Sequence, residues 1–325
     1  MLESYREAGK IASKIRKQAA KKITAGMKVI DLIDFIEGEI FKTGAGLSFP
    51  CNISINEIAA HYTSPLSDDT IFFNGDIVKI DLGAEVDGYI SDTAVTVVVE
   101  GDNIDPVDED GNPLKMPGRL DNGKPEVSQE DIELRHEIQE ASAEALENVS
   151  CILKDGVTLN DIGKVVQDTI GGKGFTPIIN LAGHSLELNN LHAGLSIPNY
   201  PDGSTHQLHE GDHVAIEPFA SNGSGITNEV PQQYIYSFIN NRPLRNPQAK
   251  MLLKSISKHN RYFPFAQRHI KTSMDERQIN RALRPLMMSG AVYGHDVLKD
   301  SAGGMVAQTE HTFIIEKEGC EITTL

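Results

Sequence analysis

Hydrophobic residues recur along this chain in two rhythms, and the two rhythms come in the same order twice. Residues 4–22 space their apolar side chains three and four apart, which predicts an amphipathic helix. A second helix is predicted within GMKVIDLIDFIEGEIFKTGAGLSFP, Gly26–Pro50. Residues 129–152 and then GVTLNDIGKVVQDTIGGKGFTP, Gly156–Pro177, repeat that arrangement, and each half closes on Gly, Phe and Pro. Gly26 and Gly156 fall where a helix exit needs a left-handed residue. Downstream, Gly75-Asp76-Ile77-Val78-Lys79-Ile80-Asp81 matches Gly211-Asp212-His213-Val214-Ala215-Ile216-Glu217 in the pattern G-D-x-V-x-I-acid. Before that pattern each half carries a histidine, His61 in AAHYT and His192 in NLHAG. Matches repeated in one order predict two similar half-domains packed face to face. Period-two apolar runs follow each helix pair, so the expected class is α+β with antiparallel strands.

Two segments stand outside the repeat. Residues 101–129, rich in Pro, Gly and Asp, read as an exposed and mobile loop excursion. Residues 231–303 interrupt the second half with helical patterns such as PQAKMLLKSISKHN and MDERQINRALRPLMMSG. They read as a helical subdomain inserted between two strands.

One apolar hairpin carries an anomaly. IVKIDLGAEVDGYISDTAVTVVVE, residues 77–100, holds Asp81 and Asp92 with no Lys or Arg after Lys79. A buried carboxylate without a cationic partner is costly. Asp87-Gly88 is a two-residue turn signal that pairs Val86 with Tyr89 and sets Asp92 opposite Gly83. Alternation then puts Asp81, Gly83, Asp92 and Ala94 on one face, with small residues leaving room over the acids. The second half supplies counterparts: Glu217 ends the strand-like HVAI, Glu310 sits in MVAQTEHTFII, and His184 follows TPIINLAG. Four carboxylates in one dry site do not all stay ionised without cations. Two divalent ions balance the four charges, and oxygen-rich ligation with one imidazole suits cobalt, manganese, iron or zinc. Other polar residues read as ordinary surface: His206, His209 and His213 in THQLHEGDH, and Asp68 and Asp69 as a solvated turn. Asp76 and Asp212 read as loop-capping residues.

Composition narrows the function classes. A formal charge of −16 over 325 residues argues against wholesale binding to nucleic acid or an anionic membrane, and no DNA specificity is expected. The three cysteines have no CxxC spacing, which removes zinc-finger and disulfide-framework readings and fits a reducing compartment. The charged N-terminal stretch lacks a signal-peptide core, and no apolar run is long enough to span a bilayer, so a cytoplasmic location is expected. Residues 241–285 nonetheless contain eleven Lys or Arg and two acids, a local +9 against −25 for the rest. That excess reads either as docking against the chain's own acidic neighbours or as a surface for ribosomal RNA.

Taken in order, AAHYT, VKIDLGAEVDGYISDTAVTV, NLAGHS, LHAG, VAIEPFA and VAQTEHTFII resemble the methionine aminopeptidases of the pita-bread fold. The insertion before VAQTEHT, with INEIAAHYT and NRYFPFAQRHI, resembles their type II, archaeal and eukaryotic branch, whose insertion is winged-helix-like. Lack of a long charged N-terminal extension points to the archaeal kind. The resemblance spans nearly the whole chain and implies Asp81, Asp92, His184, Glu217 and Glu310 as ligands of two metal ions. It implies His61 and His192 as substrate-facing histidines, Glu217 as the proton shuttle, and Phe49 and Leu191 as lining of a methionine pocket, with Tyr293 a further candidate. Nascent polypeptides with an N-terminal methionine and a small second residue would be substrates, and a monomer is expected. The rival readings are an Xaa-Pro aminopeptidase or prolidase of the same fold, and a non-catalytic binding protein that kept its shape.

Overall fold

The computed structural model describes residues 2–102, 105–108, 110–120 and 126–325. Part of the 101–129 segment therefore lies outside the described residues.

Each half begins with a helix pair. In the first, α1 (Leu2–Lys22) and α2 (Val29–Lys42) bury one stripe each, including Ala12, Ile15 and Ala19 of α1 and Leu32, Ile33, Ile36 and Ile40 of α2. These pack on the strands Asn52–Ile55 and Ile77–Leu82, whose Ile53, Ile55, Val78 and Ile80 belong to the same core. In the second, α3 (Gln129–Ser150) starts at a Ser128–Asp131 capping box, and α4 (Leu159–Gly172) starts at Thr158, whose side chain caps Asp161 N. Their apolar stripes cover a second core with Val214, Ile216 and Phe313. Gly26 and Gly156 take φ of 83° and 86°, but in turns that follow the helices rather than at their exits, since α1 ends at Lys22 and α3 at Ser150.

The first half's central sheet has the order Asn52–Ile55, Ile77–Leu82, Thr93–Val98, all antiparallel. Its register runs from Ile77↔Val98 to Leu82↔Thr93, and the tip pairs Val86 with Tyr89. This is the register that the Asp87-Gly88 turn predicts. The second half's sheet places His213–Ile216 between Ala182–Ser185 and His311–Glu316. Backbone bonds join the halves where Ala94 and Glu310 exchange N–H···O contacts of 3.3 and 3.1 Å. Hydroxyls extend that seam: Thr312 Oγ1 accepts from Asp92 N and donates to Asp92 O, both at 2.8 Å, and Thr96 Oγ1 donates to Gln308 O at 2.7 Å.

The 231–303 span carries strand as well as helix. Thr227–Phe238 pairs with Val292–Asp300 along its length, with irregularities around Gln233. Beyond that ribbon lie α5 (Pro247–His259), capped by Asn246, and α6 (Glu276–Met288), capped by Asp275. They bury Leu252, Ile256, Leu283 and Leu286 in a core of their own around Phe265. Of the eleven bases in this region, Arg268 is half-buried and the other ten are exposed. Arg268 Nε donates to Glu37 Oε2 of α2 at 3.0 Å, and His269 Nε2 reaches the same oxygen at 2.9 Å. Cys51 N donates to Glu37 Oε1 at 3.1 Å, so one carboxylate ties the insertion to the first half.

Three surface readings change. Asp76 does not merely shape a loop: it is fully buried and paired with Arg119 from the 101–129 segment, whose guanidinium lies 4.2 Å from the Phe73 ring centre. The described part of that segment is thus anchored in the interior. Asp68 is buried too, accepting from Tyr62 Oη at 2.6 Å and from Ser64 Oγ. His213 stacks on Tyr5 with ring centres 3.8 Å apart. Asp69, by contrast, is a surface residue that pairs with Lys28.

The Glu37 carboxyl is held down to about 2 despite its burial, because His269 and Arg268 bond and attract its charged form. A depressed carboxyl stabilises the fold above its unfolded value near 4.5, and the gain is lost as pH falls through about 2. Urea denaturation of the unaltered protein and Glu37→Gln between pH 5 and 2 should show the difference between them shrinking by on the order of 3 kcal/mol.

Candidate metal centre

The two halves meet over a cavity of about 170 Å³. Asp81 lies near the end of Ile77–Leu82, opposite Ala94, and Asp92 immediately precedes Thr93–Val98. His184 sits in Ala182–Ser185, paired with Ala215. Glu217 follows the last residue of His213–Ile216, and Glu310 lies in the seam opposite Ala94. All five line the cavity, together with His61, His192, Phe49 and Leu191. Ligand atoms of Asp92, His184 and Glu310 lie within 4.8 Å of one another, with His184 Nε2 at 3.5 Å from Asp92 Oδ2. Asp81 and Glu217 share the cavity but stand outside that tight trio.

No cationic side chain among the described residues pairs with these acids. Lys79 is fully buried two residues before Asp81, yet its ammonium donates to Asn56 O at 2.7 Å. Arg16 of α1 reaches the seam and donates to Thr93 Oγ1, with His311 Nδ1 at 3.1 Å. Burial, then the charge of Asp92, pushes the Asp81, Glu217 and Glu310 carboxyls well above the usual range. Such groups stay ionised when a cation enters, because its charge reverses the local preference.

Unmet bonding capacity tests the fit. Asp81 Oδ1, Asp92 Oδ1 and His184 Nδ1 are sealed from solvent and have no hydrogen-bond partner. Buried polar atoms are nearly always paired, so the orphaned Asp81 and Asp92 oxygens mark positions that a divalent ion completes, while His184 turns its other nitrogen, Nε2, toward Asp92. The residues present therefore fit a metal ion.

Gly83 plays a different part from the one its size suggests. It leaves no empty room over the acids: a Cβ there would lie 1.9 Å from Ser48 Oγ and 2.6 Å from the Phe49 ring. The missing side chain lets Phe49 lie against the hairpin and form an apolar patch with Ile90, Leu186 and Leu191.

Three imidazoles complete the cavity. His61 has φ of 64°, a strained value for a residue with a side chain, and its Nδ1 lies 3.1 Å from Asp296 O. His192 packs edge-on to His184 with ring centres 4.4 Å apart, and burial and His184 hold it down to about 4. The third, His295, has no counterpart in the sequence reading. Tyr293, the residue weighed for that place, is 52% exposed and touches the cavity only through the His295 ring. Gln308 was also unforeseen; its Nε2 donates to Glu217 Oε2 at 3.0 Å. Alternation carried a signal for both, since Gln308 precedes Glu310 by two residues and His295 faces Ile235 across the ribbon.

Comparison with known proteins agrees with this geometry. The family model described as metallopeptidase family M24 matches residues 3–316. The chain belongs to metallopeptidase family M24. A methionine aminopeptidase of Methanothermobacter thermautotrophicus is 43% identical to this M24 chain, covering 100% of it and 99% of the relative. Among solved structures, that of a thermophilic Arx1 superposes with a TM-score of 0.79 at 20% identity, covering 99% of this chain and 90% of that one. The methionine aminopeptidase of Rickettsia prowazekii gives 0.65 at 20% identity, with 100% and 96% covered. Those likenesses establish the pita-bread α+β architecture.

Crowded acids also predict the behaviour of the metal-stripped protein. Chelation should lower the thermal midpoint of the unaltered chain. Glu310→Gln should raise the midpoint of the stripped protein by a few degrees while reducing bound metal, because one repelling carboxylate is gone. Calorimetry with and without chelator, alongside elemental analysis, checks both.

Proposed function

We propose that this chain hydrolyses the first peptide bond of polypeptides beginning with methionine, with Asp81, Asp92, His184, Glu217 and Glu310 holding two divalent ions. Cobalt, manganese, iron and zinc all suit that donor set. The observation that carries the reading is the convergence of five ligand-type side chains, two with orphaned carboxylate oxygens, beside the apolar patch of Phe49 and Leu191. The full-length relative named methionine aminopeptidase supports the same substrate.

When bound, the ions supply Lewis acidity: they polarise the scissile carbonyl and make water a better nucleophile near neutral pH. The chain's own groups do the rest. Glu217, steadied through Oε2 by Gln308, takes the proton from the attacking water and passes it to the leaving amine. A carbonyl only accepts, so His61 Nδ1 carries the proton given to Asp296 O, and Nε2 is left to accept the scissile N–H. His192, held neutral and without a protein hydrogen bond among the described residues, donates to the developing oxyanion. Phe49 and Leu191 receive the methionine side chain, where thioether–ring contact adds modestly. A cavity of about 170 Å³ shared with the residue that follows favours a small second side chain.

The exposed bases on the insertion support a cytoplasmic setting at the ribosome. Among the described residues only Arg268 of the eleven forms an ion pair. Lys250, Lys254 and Lys258 recur every fourth residue on α5, a stripe suited to phosphates. Neutralising these three should weaken ribosome co-sedimentation several-fold and flatten its salt dependence; unchanged sedimentation removes the ribosomal part alone.

Hydrolysis of Met-Ala-Ser against an Xaa-Pro peptide, with metal content measured on the same sample, tests the activity. Asp92→Asn should lose bound metal and at least about a thousandfold in kcat/KM for Met-Ala-Ser together. A fully active, metal-free variant would sink the assignment.

A further inference from the structure

His295 is the one imidazole of the cavity that the proposed chemistry leaves without a task. It lies on Val292–Asp300 opposite Ile235, and both side chains line the cavity. Its ring is fixed on two sides, edge-on to His61 at 5.6 Å and to Tyr293 at 5.0 Å between centres. One nitrogen is spoken for: Nε2 lies 2.8 Å from Ser237 Oγ. That hydroxyl has no other partner among the described residues and can donate to Nε2; in that tautomer the imidazole proton sits on Nδ1. Nδ1 itself has no protein partner and is not among the sealed polar atoms, so it opens into the cavity.

The neighbouring ring has the opposite polarity. His61 gives its Nδ1 proton to Asp296 O, the residue after His295, and presents a bare Nε2. Two adjacent rings thus offer an acceptor and a donor, which matches the N–H and C=O that flank one residue of an extended peptide. We propose that His295 Nδ1 donates to the backbone carbonyl of the substrate's second residue while His61 Nε2 accepts its N–H. This rests on the aminopeptidase reading and adds a specificity-determining contact: His295 selects peptides over simple amides of methionine.

The test compares Met-Ala-Ser with methionine isopropylamide, which keeps the scissile N–H and a branched carbon but lacks the second carbonyl. His295→Phe keeps the ring packing and removes both nitrogens. The ratio of kcat/KM for peptide over amide should fall about 3- to 10-fold in that variant, the worth of one neutral hydrogen bond. His295→Gln retains a donor and should keep at least half of the ratio. If His295→Phe does not fold by circular dichroism, His295→Ala carries the same comparison. An unchanged ratio in a variant that loses activity on both substrates equally overturns the inference, because His295 then acts only through His61. Failure of the unaltered protein to cleave either substrate would remove the aminopeptidase reading and this inference with it, whereas a normal parent with a flat ratio removes the inference alone.

Discussion

Like charges resist being gathered out of water, and every feature of this molecule's centre answers that resistance. Asp81, Asp92, Glu217 and Glu310 line one small cavity, yet neither buried cation nearby pairs with their carboxylates: Lys79 donates to a carbonyl, and Arg16 to Thr93, with His311 Nδ1 at 3.1 Å and the Glu310 backbone carbonyl at 3.4 Å. The seam beneath the acids is built from neutral threonine hydroxyls and backbone amides. Such groups hold the two halves in register without satisfying the carboxylates. Among the described residues no Lys or Arg ion-pairs with these carboxylates, and the charge that a cation would balance is left in the cavity.

Much of this was legible in the sequence because it is set locally. A two-residue turn fixes hairpin register, and alternation then fixes which face carries Asp81 and Asp92. The repeat located Glu217 and Glu310 by analogy, since both halves follow the same helix–helix–sheet order. What stayed hidden depends on partners remote in the chain. Asp76 looks like a loop residue until Arg119 enters the interior to meet it. His213 sits in a polar stretch, and only α1 supplies the Tyr5 ring that covers it. His295 is one of many alternating residues in a strand until the ribbon is laid beside His61. Gly83 was legible as small but not in its purpose, because the ring that uses its space lies on another segment.

The insertion follows a separate logic. It has its own apolar core around Phe265, so its helices do not need the halves to hide their faces. A buried carboxylate, Glu37, receives Arg268 and His269, and Arg268 also donates to Ser64 O and Thr63 Oγ1, so these bonds together seat the insertion against the first half. The same ribbon that carries the helices outward also delivers Ile235 and His295 to the cavity wall. Decoration and cavity wall thus share two strands.

The Asp92–Thr312 bonds join residues 220 positions apart. Contacts of that span carry a larger loop-closure entropy than the turns and helices within each half. The trio of Asp92, His184 and Glu310 draws on both halves, so its geometry exists only once the halves have met. A chain stalled with only its first half assembled carries Asp81 and Asp92 without the residues that face them across the cavity.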